Sequence, residues 1–525
     1  MCNRKNKMIA LLCSMALLAG LWCAPALAQE NVTLTMWAAL NPKSAVSVTS
    51  NAEILSIQET EKATGIHIEW TEPPVGEETS QFNLMIASGD LPDMIAWNWW
   101  NYPGGPEKAI SDGILIDLTP YMDSMPALKA IYDKYPELLK QCTTDEGHTY
   151  FFPRINGDTV DPAYHAQSFW VGPIYRADIL EAIGEEEPKT LDDWYRILTK
   201  VKETYPDMIP LSAAGDASAN TSLYTWASVF GVRPNLYMDG QNVNFGLLSD
   251  GFKQYVETMT KWYAEGLIDP DYLANAAGDL KTKVTSGQVF AFIGAQGGNY
   301  VSYAQVMEQG LPEARLAIAP WPTGPDGKAY TSQAGVINAV NGGFGIGITT
   351  ACENVEAAIK YLDYGYTEEG IMLNNFGVEG ITYQIAEDGS IEWTKEIAAE
   401  IEADSVDNVI GRYLVAGITN WASLCDARTF ALMRTYPGQY EAGEIWGQAS
   451  DALDLPPLTP TAEESSEAAT IMNNVTTFRD EMIGNIIMGA MDLADYDTVV
   501  SQAKDMGIER VVSIYNEALT RYNAR

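Results

Sequence analysis

The sequence predicts an α/β protein with at least two lobes, and three observations carry that expectation. Segments with period-two or continuous apolar patterning alternate with segments of helical spacing along most of the chain. Its 525 residues are enough for two or three full-sized cores. No internal repeat, low-complexity tract or long flexible linker stands between those cores, so the lobes are expected to exchange strands rather than hang on a tether.

The elements follow in order. Residues 33–37 read as a strand, and residues 51–64 carry helical spacing through Ile54, Ile57 and Glu61 until Gly65 stops it. Ile66-His67-Ile68-Glu69-Trp70 alternates like a half-buried strand. Residues 80–88 form a helix ended by Gly89, and the turn at 89–92 feeds a short apolar strand at 93–96. A helix over 106–112 stops at Gly113. Thr190-Leu191-Asp192-Asp193 reads as an acidic capping box, after which Trp194, Ile197, Leu198 and Val201 share one helical face. Gly342-Gly343-Phe344-Gly345-Ile346-Gly347 is a strand whose glycines permit close backbone approach, not a phosphate cradle. From residue 397 helix prevails, with long amphipathic stretches at 465–488 and 496–522.

The first residues give an address. Arg4, Lys5 and Lys7 precede an apolar run at 8–22, and Ala26-Leu27-Ala28 supplies a small-residue cleavage site. This is the pattern of a secretory signal peptide, residues 1–28, with an exported chain starting near Gln29. The run is too short for a membrane anchor. Leu18-Ala19-Gly20 resembles the triplet ahead of a lipidated cysteine, but Cys23 comes two residues late, so free export is expected over lipid anchoring.

Composition narrows the partners. A formal charge of −38 disfavours nucleic acid and anionic membranes, and losing the leader makes the chain more acidic still. Cys142, Cys352 and Cys425 are an odd number of distant cysteines, expected as three buried thiols; one pair at most could form. His67, His148 and His165 show no metal-ligand spacing, so neither a metal nor another cofactor is expected. There is no G-x-S-x-G, Walker A loop or dinucleotide fingerprint. Paired carboxylates of the glycosidase kind are set by space rather than sequence and stay open.

The strand at 93–96 runs directly into Trp97-Asn98-Trp99-Trp100. Continued alternation would send Trp97 and Trp99 to one face and Trp100 to the other. Carboxyl ends of strands in open α/β sheets are where ligands bind, and indole faces beside amides and carboxylates suit a sugar ring. The competing reading is that one or two of these rings are core.

The order of motifs resembles the extracellular sugar-binding proteins of ABC transporters, the family 1 solute-binding group, in its long oligosaccharide-binding branch. Thr35-Met36-Trp37 is similar to that family's first strand, Ser88-Gly89-Asp90-Leu91-Pro92-Asp93 to its turn, and 113–120 to its "G.l.dLtp" segment. Tyr175-Arg176-Ala177-Asp178, then 188–194, and finally 320–328 continue the series over nearly the whole exported chain. The resemblance implies two α/β lobes of the periplasmic-binding-protein type, joined by crossing hinge segments, with a helical C-terminal region. Lobe one would be residues 29–160 plus 318–395 and lobe two residues 161–317 plus 396–525. It also implies no enzymatic reaction. The long branch often carries a calcium loop that the short 202–211 segment lacks, so no calcium ion is expected there.

The resemblance places candidate ligand contacts at Trp37, Asp93, Trp97, Asn98, Trp99 and Trp100, then Tyr224 and Trp226 in a second-lobe aromatic loop. Gln296, Asn299 and Tyr300 follow at a strand end, Trp321 near the returning hinge and Trp421 in the helical tail. Arg154 and Asn156 are either donors to hydroxyl oxygens or parts of a hinge salt bridge. Trp194, Trp262 and Trp446 are read as core. The expected function is capture of a carbohydrate, a neutral oligosaccharide, by a monomer that delivers it to ABC-transporter permease subunits. A secreted glycoside-active enzyme and a binder of peptide or another solute are the alternatives.

Overall fold

The computed structural model describes residues 32–217, 219–415 and 421–525, so the leader and Ile418-Thr419-Asn420 lie outside the described residues. The strands are β1 (Val32–Trp37), β2 (Ile66–Thr71), β3 (Met94–Asn98), β4 (Phe152–Asn156), β5 (Val171–Arg176), β6 (Ile209–Leu211), β7 (Leu236–Asp239), β8 (Asn242–Phe245), β9 (Val289–Ala295), β10 (Leu316–Ile318), β11 (Val340–Ile348), β12 (Tyr383–Ile385), β13 (Ile391–Trp393) and β14 (Ser423–Cys425).

They build two main sheets and two hairpins. The six-stranded sheet runs β14-β4-β11-β3-β1-β2 and the four-stranded one β10-β5-β9-β6. β1 lies parallel to β2 and β3, while β11 is antiparallel to both β3 and β4. Local pattern explains each place. β2 buries Ile66 and Ile68 and exposes His67 and Glu69, as an edge strand with one covered face should. β9 is apolar throughout and sits between two neighbours. β11 needs its glycines: a Cβ on Gly345 would meet the Phe151 ring and the Phe152 carbonyl, both at 2.4 Å.

The helices follow their caps. Leu191–Thr204 starts on a reciprocal box in which Thr190 and Asp193 each accept from the other's backbone N–H, both at 3.1 Å. Its face of Trp194, Ile197, Leu198 and Val201 is fully buried. The stretch expected as one helix over 496–522 divides into Tyr496–Asp505 and Ile508–Ala524, because Gly507 adopts a φ of +99° between them. Among the described residues no helix is long and apolar enough to cross a membrane.

Among the described residues two large apolar cores mark two lobes, beside a small cluster of Ile397, Val409, Ile410 and Leu414. One gathers Leu34, Met36, Ile68, Phe82, Ile95, Trp99 and Phe151 under the six-stranded sheet. The other gathers Trp194, Trp226, Trp262, Phe290, Trp321 and Trp446 with the C-terminal helices. Core membership changes between Ile155 and Phe169, between Val336 and Ala339, and between Ala422 and Ala442. Residues 396–425, given to lobe two by the sequence reading, include β14 in the first sheet and backbone bonds from Leu55 and Ser56 to Arg412 and Tyr413. Trp321, in the stretch given to lobe one, packs in the second core. The crossings are stitched together: Asn156 N–H donates to the Ala339 carbonyl at 2.7 Å and its side chain to that of Asn338 at 3.3 Å.

Candidate functional site

β1 and β3 are parallel, so Trp37 and Trp97 emerge together at the carboxyl edge of the first sheet. There they line a cavity of about 210 Å³ with Phe344, Trp421, Asn41, Asn51 and Glu78. Phe82 forms its floor support, stacked on Trp97 with centroids 4.1 Å apart and an interplanar angle of 6°. Trp37 meets the Trp97 ring edge-on at 5.8 Å, and Trp421 leans on Trp70 at 5.8 Å. Trp97 Nε1 is buried without a hydrogen-bond partner among the described residues. Asn51 is fixed in the wall by Glu72, whose carboxylate accepts from its backbone and side-chain N–H groups at 2.6 and 2.7 Å.

The tryptophan run does not continue as a strand. β3 ends at Asn98, whose side chain accepts from Trp100 N–H at 3.2 Å and starts a tight 3₁₀ turn, Trp99–Asn101. That turn rotates Trp99 into the core, fully buried, and swings Trp100 away to donate from Nε1 to the Tyr150 hydroxyl at 3.1 Å. Trp97 and Trp99 both pack on Phe82, at 4.1 and 6.2 Å, so the two share a face as alternation expects, but Trp99 is core and does not reach the cavity. Trp100 instead borders a second cavity of about 420 Å³ with Tyr102, Leu236, Leu458, Met472 and Tyr515. Gly343, at φ +77°, leaves room for its ring.

A third cavity, about 370 Å³, lies along the crossings and shares Leu236 with the second. Tyr224, Asn220, Asn235, Ser332 and Asn338 line it with Arg233 and Asp454. The last two form a buried pair at 2.9 Å; Asp454 also accepts from Gly335 and Ile337 N–H, and Arg233 donates to the Gln333 carbonyl. Burial pulls the Arg233 guanidinium below its ordinary value against the pull of Asp454. Tyr224 stacks toward Phe252 at 6.1 Å with Arg479 over its ring at 5.1 Å, and burial pushes its hydroxyl well up.

Other candidates are engaged elsewhere. Asp93 sits at the amino end of β3, where its carboxylate accepts from Thr35 N–H at 2.7 Å and from the Thr35 hydroxyl at 2.8 Å. Trp226 is core, edge-on to Trp194 at 5.3 Å and Trp262 at 5.6 Å. Trp321 is core as well and donates to the Val171 carbonyl at 3.2 Å. Asn299 holds the turn after β9, accepting from Ala295 N–H at 2.8 Å and donating to Tyr303 at 2.9 Å. Tyr300 donates to the Pro437 carbonyl at 2.9 Å. Gln296, with its amide turned to satisfy both neighbours, donates to the Gln439 carbonyl and accepts from Arg434 at 3.3 Å. Arg154 donates to Asn156 at 2.8 Å, so this pair forms a hinge hydrogen bond rather than a salt bridge. Beside it burial raises the Asp158 carboxyl, against Arg434 and Arg154, and lowers Arg434 to about 10.

The structure thus brings together Trp37, Trp97 and Trp421, sets Trp100 and Tyr224 on neighbouring cavities, and takes Asp93, Trp99, Trp226 and Trp321 out. Phe344, Asn51, Glu78, Arg233, Asn338 and Asp454 complete the walls. Only the pairing of β11 with β3, which sets Phe344 opposite Asn98, reveals the first of these.

Known proteins share this architecture. The chain is 28% identical over 375 residues to the fructooligosaccharide ABC transporter substrate-binding protein FusA of Streptococcus pneumoniae serotype 4. That match takes in 67% of this chain and 64% of the relative's length. The structure of FusA in complex with kestose superposes with a TM-score of 0.72 at 22% identity, covering 94% of this chain and 99% of that one. The alginate-binding protein AlgQ2 superposes with a TM-score of 0.71 at 19% identity, covering 94% and 98%. These likenesses are in fold, the two-lobe form of periplasmic binding proteins. Residues 47–372, more than half of the sequence, match the profile of the bacterial extracellular solute-binding proteins, and the chain belongs to that family.

Proposed function

We propose that this chain captures an uncharged oligosaccharide between its lobes and hands it, unaltered, to the permease subunits of an ABC importer. The observation that carries the reading is the convergence of Trp37, Trp97, Trp421 and Phe344 on one cavity at the carboxyl edge of the parallel strands. Flat apolar faces of this kind match the C–H face of a pyranose or furanose ring, while Asn51 and Glu78 offer partners for hydroxyls. Trp100, Tyr224 and Asn338 extend the surface along the crossings, and closure about those crossings buries the sugar.

The choice of an uncharged ligand rests on the walls. Among the described residues lining the three cavities, Arg233 is the one cation, and Asp454 already neutralises it. An acidic chain such as the alginate of AlgQ2's name would find no free positive charge, whereas the fructooligosaccharide of FusA's name needs none. Cleavage after Ala28 and export complete the proposal.

Calorimetry and tryptophan fluorescence on the exported chain test it, using kestose, other neutral oligosaccharides and alginate oligomers. Saturable binding of a neutral sugar, with no product after prolonged incubation, is the expected result. Binding of the acidic oligomers alone would reverse the charge reading, and accumulation of product would replace the binder with an enzyme.

A further inference from the structure

Behind the second cavity, which Gly105 and Pro106 line, the helix Gly105–Ser111 and the turn at 143–149 bring Glu107, Glu146 and His148 together, one ligand-capable atom of each within 4.8 Å of the others. Histidines in this sequence have no metal-binding spacing, so only the fold reveals the group. Glu107 is 6% exposed. Among the described residues its carboxylate is bonded to the Thr144 hydroxyl, at 2.6 Å, and to His148 Nδ1, 3.0 Å from each oxygen, and to no Lys or Arg. A carboxylate this far from water, with no Lys or Arg beside it, is suited to hold a cation. The position sets a buried carboxylate beside an imidazole nitrogen. That is a ligand set, since nitrogen and carboxylate donors about 2.0–2.2 Å from a zinc-sized ion lie roughly 3.3 Å apart across a tetrahedron.

We propose that Glu107, Glu146 and His148 bind a divalent transition-metal ion of the zinc class. Glu107 and His148 need little movement, and Glu146, exposed on the turn, swings in to complete three protein ligands. The negative field of Glu146 and Asp117 around His148 favours the incoming cation. Hard calcium and magnesium, which ask for six or more oxygens or retained waters, fit a donor set containing imidazole poorly. The ion braces the sugar-site wall from behind. Glu107 follows the Trp99–Asn101 turn by one short loop and His148 stands two residues before Tyr150, the hydrogen-bond partner of Trp100. A metal joining them clamps both sides of that bond.

The test is calorimetric titration of the untagged, metal-stripped full chain with Zn²⁺, with Ca²⁺ and Mg²⁺ in parallel and melting curves for each. One zinc per chain, a raised melting temperature and no comparable response to the alkaline-earth ions are expected. E146Q, at an exposed position that leaves folding intact, should weaken binding about tenfold or more, the scale seen even for groups that merely support a ligand. H148A should abolish it. No zinc binding, or binding unchanged in both variants, overturns the proposal and leaves Glu107 and His148 as an ion pair. Sugar binding is measured separately, so neither result depends on the functional reading above.

Discussion

Replacing Trp97 and Trp226 in turn with alanine separates a ring that meets ligand from one that holds a lobe together. Trp97 is partly exposed and gains from two aromatic pairs, the stack on Phe82 at 4.1 Å and the edge contact with Trp37 at 5.8 Å. At about 0.5–1.5 kcal/mol per pair, W97A should cost roughly 1–3 kcal/mol of stability. Trp226 is 1% exposed and wedged between Trp194 and Trp262, so W226A removes a complete buried indole and should cost about 3–5 kcal/mol. The order reverses for affinity. A central aromatic anchor is worth about 2 kcal/mol or more, so W97A should weaken sugar binding about thirtyfold, whereas W226A should leave it within about threefold. Differential scanning calorimetry gives the first comparison, and titration well below each melting temperature gives the second. Equal loss of affinity in both folded variants, or parental affinity in W97A, would refute the assignment of the cavity.

Four further outcomes follow from named contacts. G343A must put a Cβ within 2.3 Å of the Trp100 indole at a φ of +77°, so it should lose about 2–4 kcal/mol and alter the near-ultraviolet signal of Trp100. D454N strands the buried Arg233 guanidinium and should cost about 3–5 kcal/mol, with R233M/D454L recovering much of it. For His148 burial lowers the imidazole's affinity for a proton, but Glu107, Asp117 and Glu146 outweigh it; for His165 the bond to Asp451 dominates; both end above their ordinary value. Their contribution is complete below the unfolded value of about 6.5 and is lost as pH rises through the higher folded values, so metal-free protein should melt higher near pH 6 than near pH 8.5, and H148Q/H165Q should flatten that slope. Burial pushes the thiols of Cys142 and Cys352 up to about 12 and 11, so alkylation at about pH 8 should label them only after unfolding.

The elements legible in the sequence were those whose signals are local. Thr190 and Asp193 announce their helix because a capping box needs only four residues, and Gly65 and Gly89 end theirs with positive φ. Of the proposed site, Trp97 is legible from its place at a strand end and Trp37 from the family resemblance, and the structure sets both on neighbouring parallel strands. The site was not legible where a turn takes over from the strand. Asn98 caps a 3₁₀ turn directly after Trp97, and within it Trp99 is fully buried while Trp100 reaches Tyr150. Within the turn Leu223–Phe230 the same problem arises, since Tyr224 reaches the cavity while Trp226 faces inward. Asp93 has the right chemistry at the wrong end of its strand. Asn338 and Asp454 line one cavity only because the crossings lie side by side, a relation between segments more than a hundred residues apart.

β14 has a consequence for how the molecule comes into being. Residues 423–425 pair with residues 154–156 of β4, in a sheet whose first strand begins at residue 32. A chain made from its amino terminus therefore presents β4 with one open edge until most of its length has emerged, and closure of a loop this long slows the final pairing. Every truncation that ends before residue 423 leaves that edge exposed to a neighbouring chain. Separate expression of the first lobe should yield aggregates unless the segment ending at β14 is supplied in trans, which makes the sheet's last strand the one that decides whether nascent protein folds or self-associates.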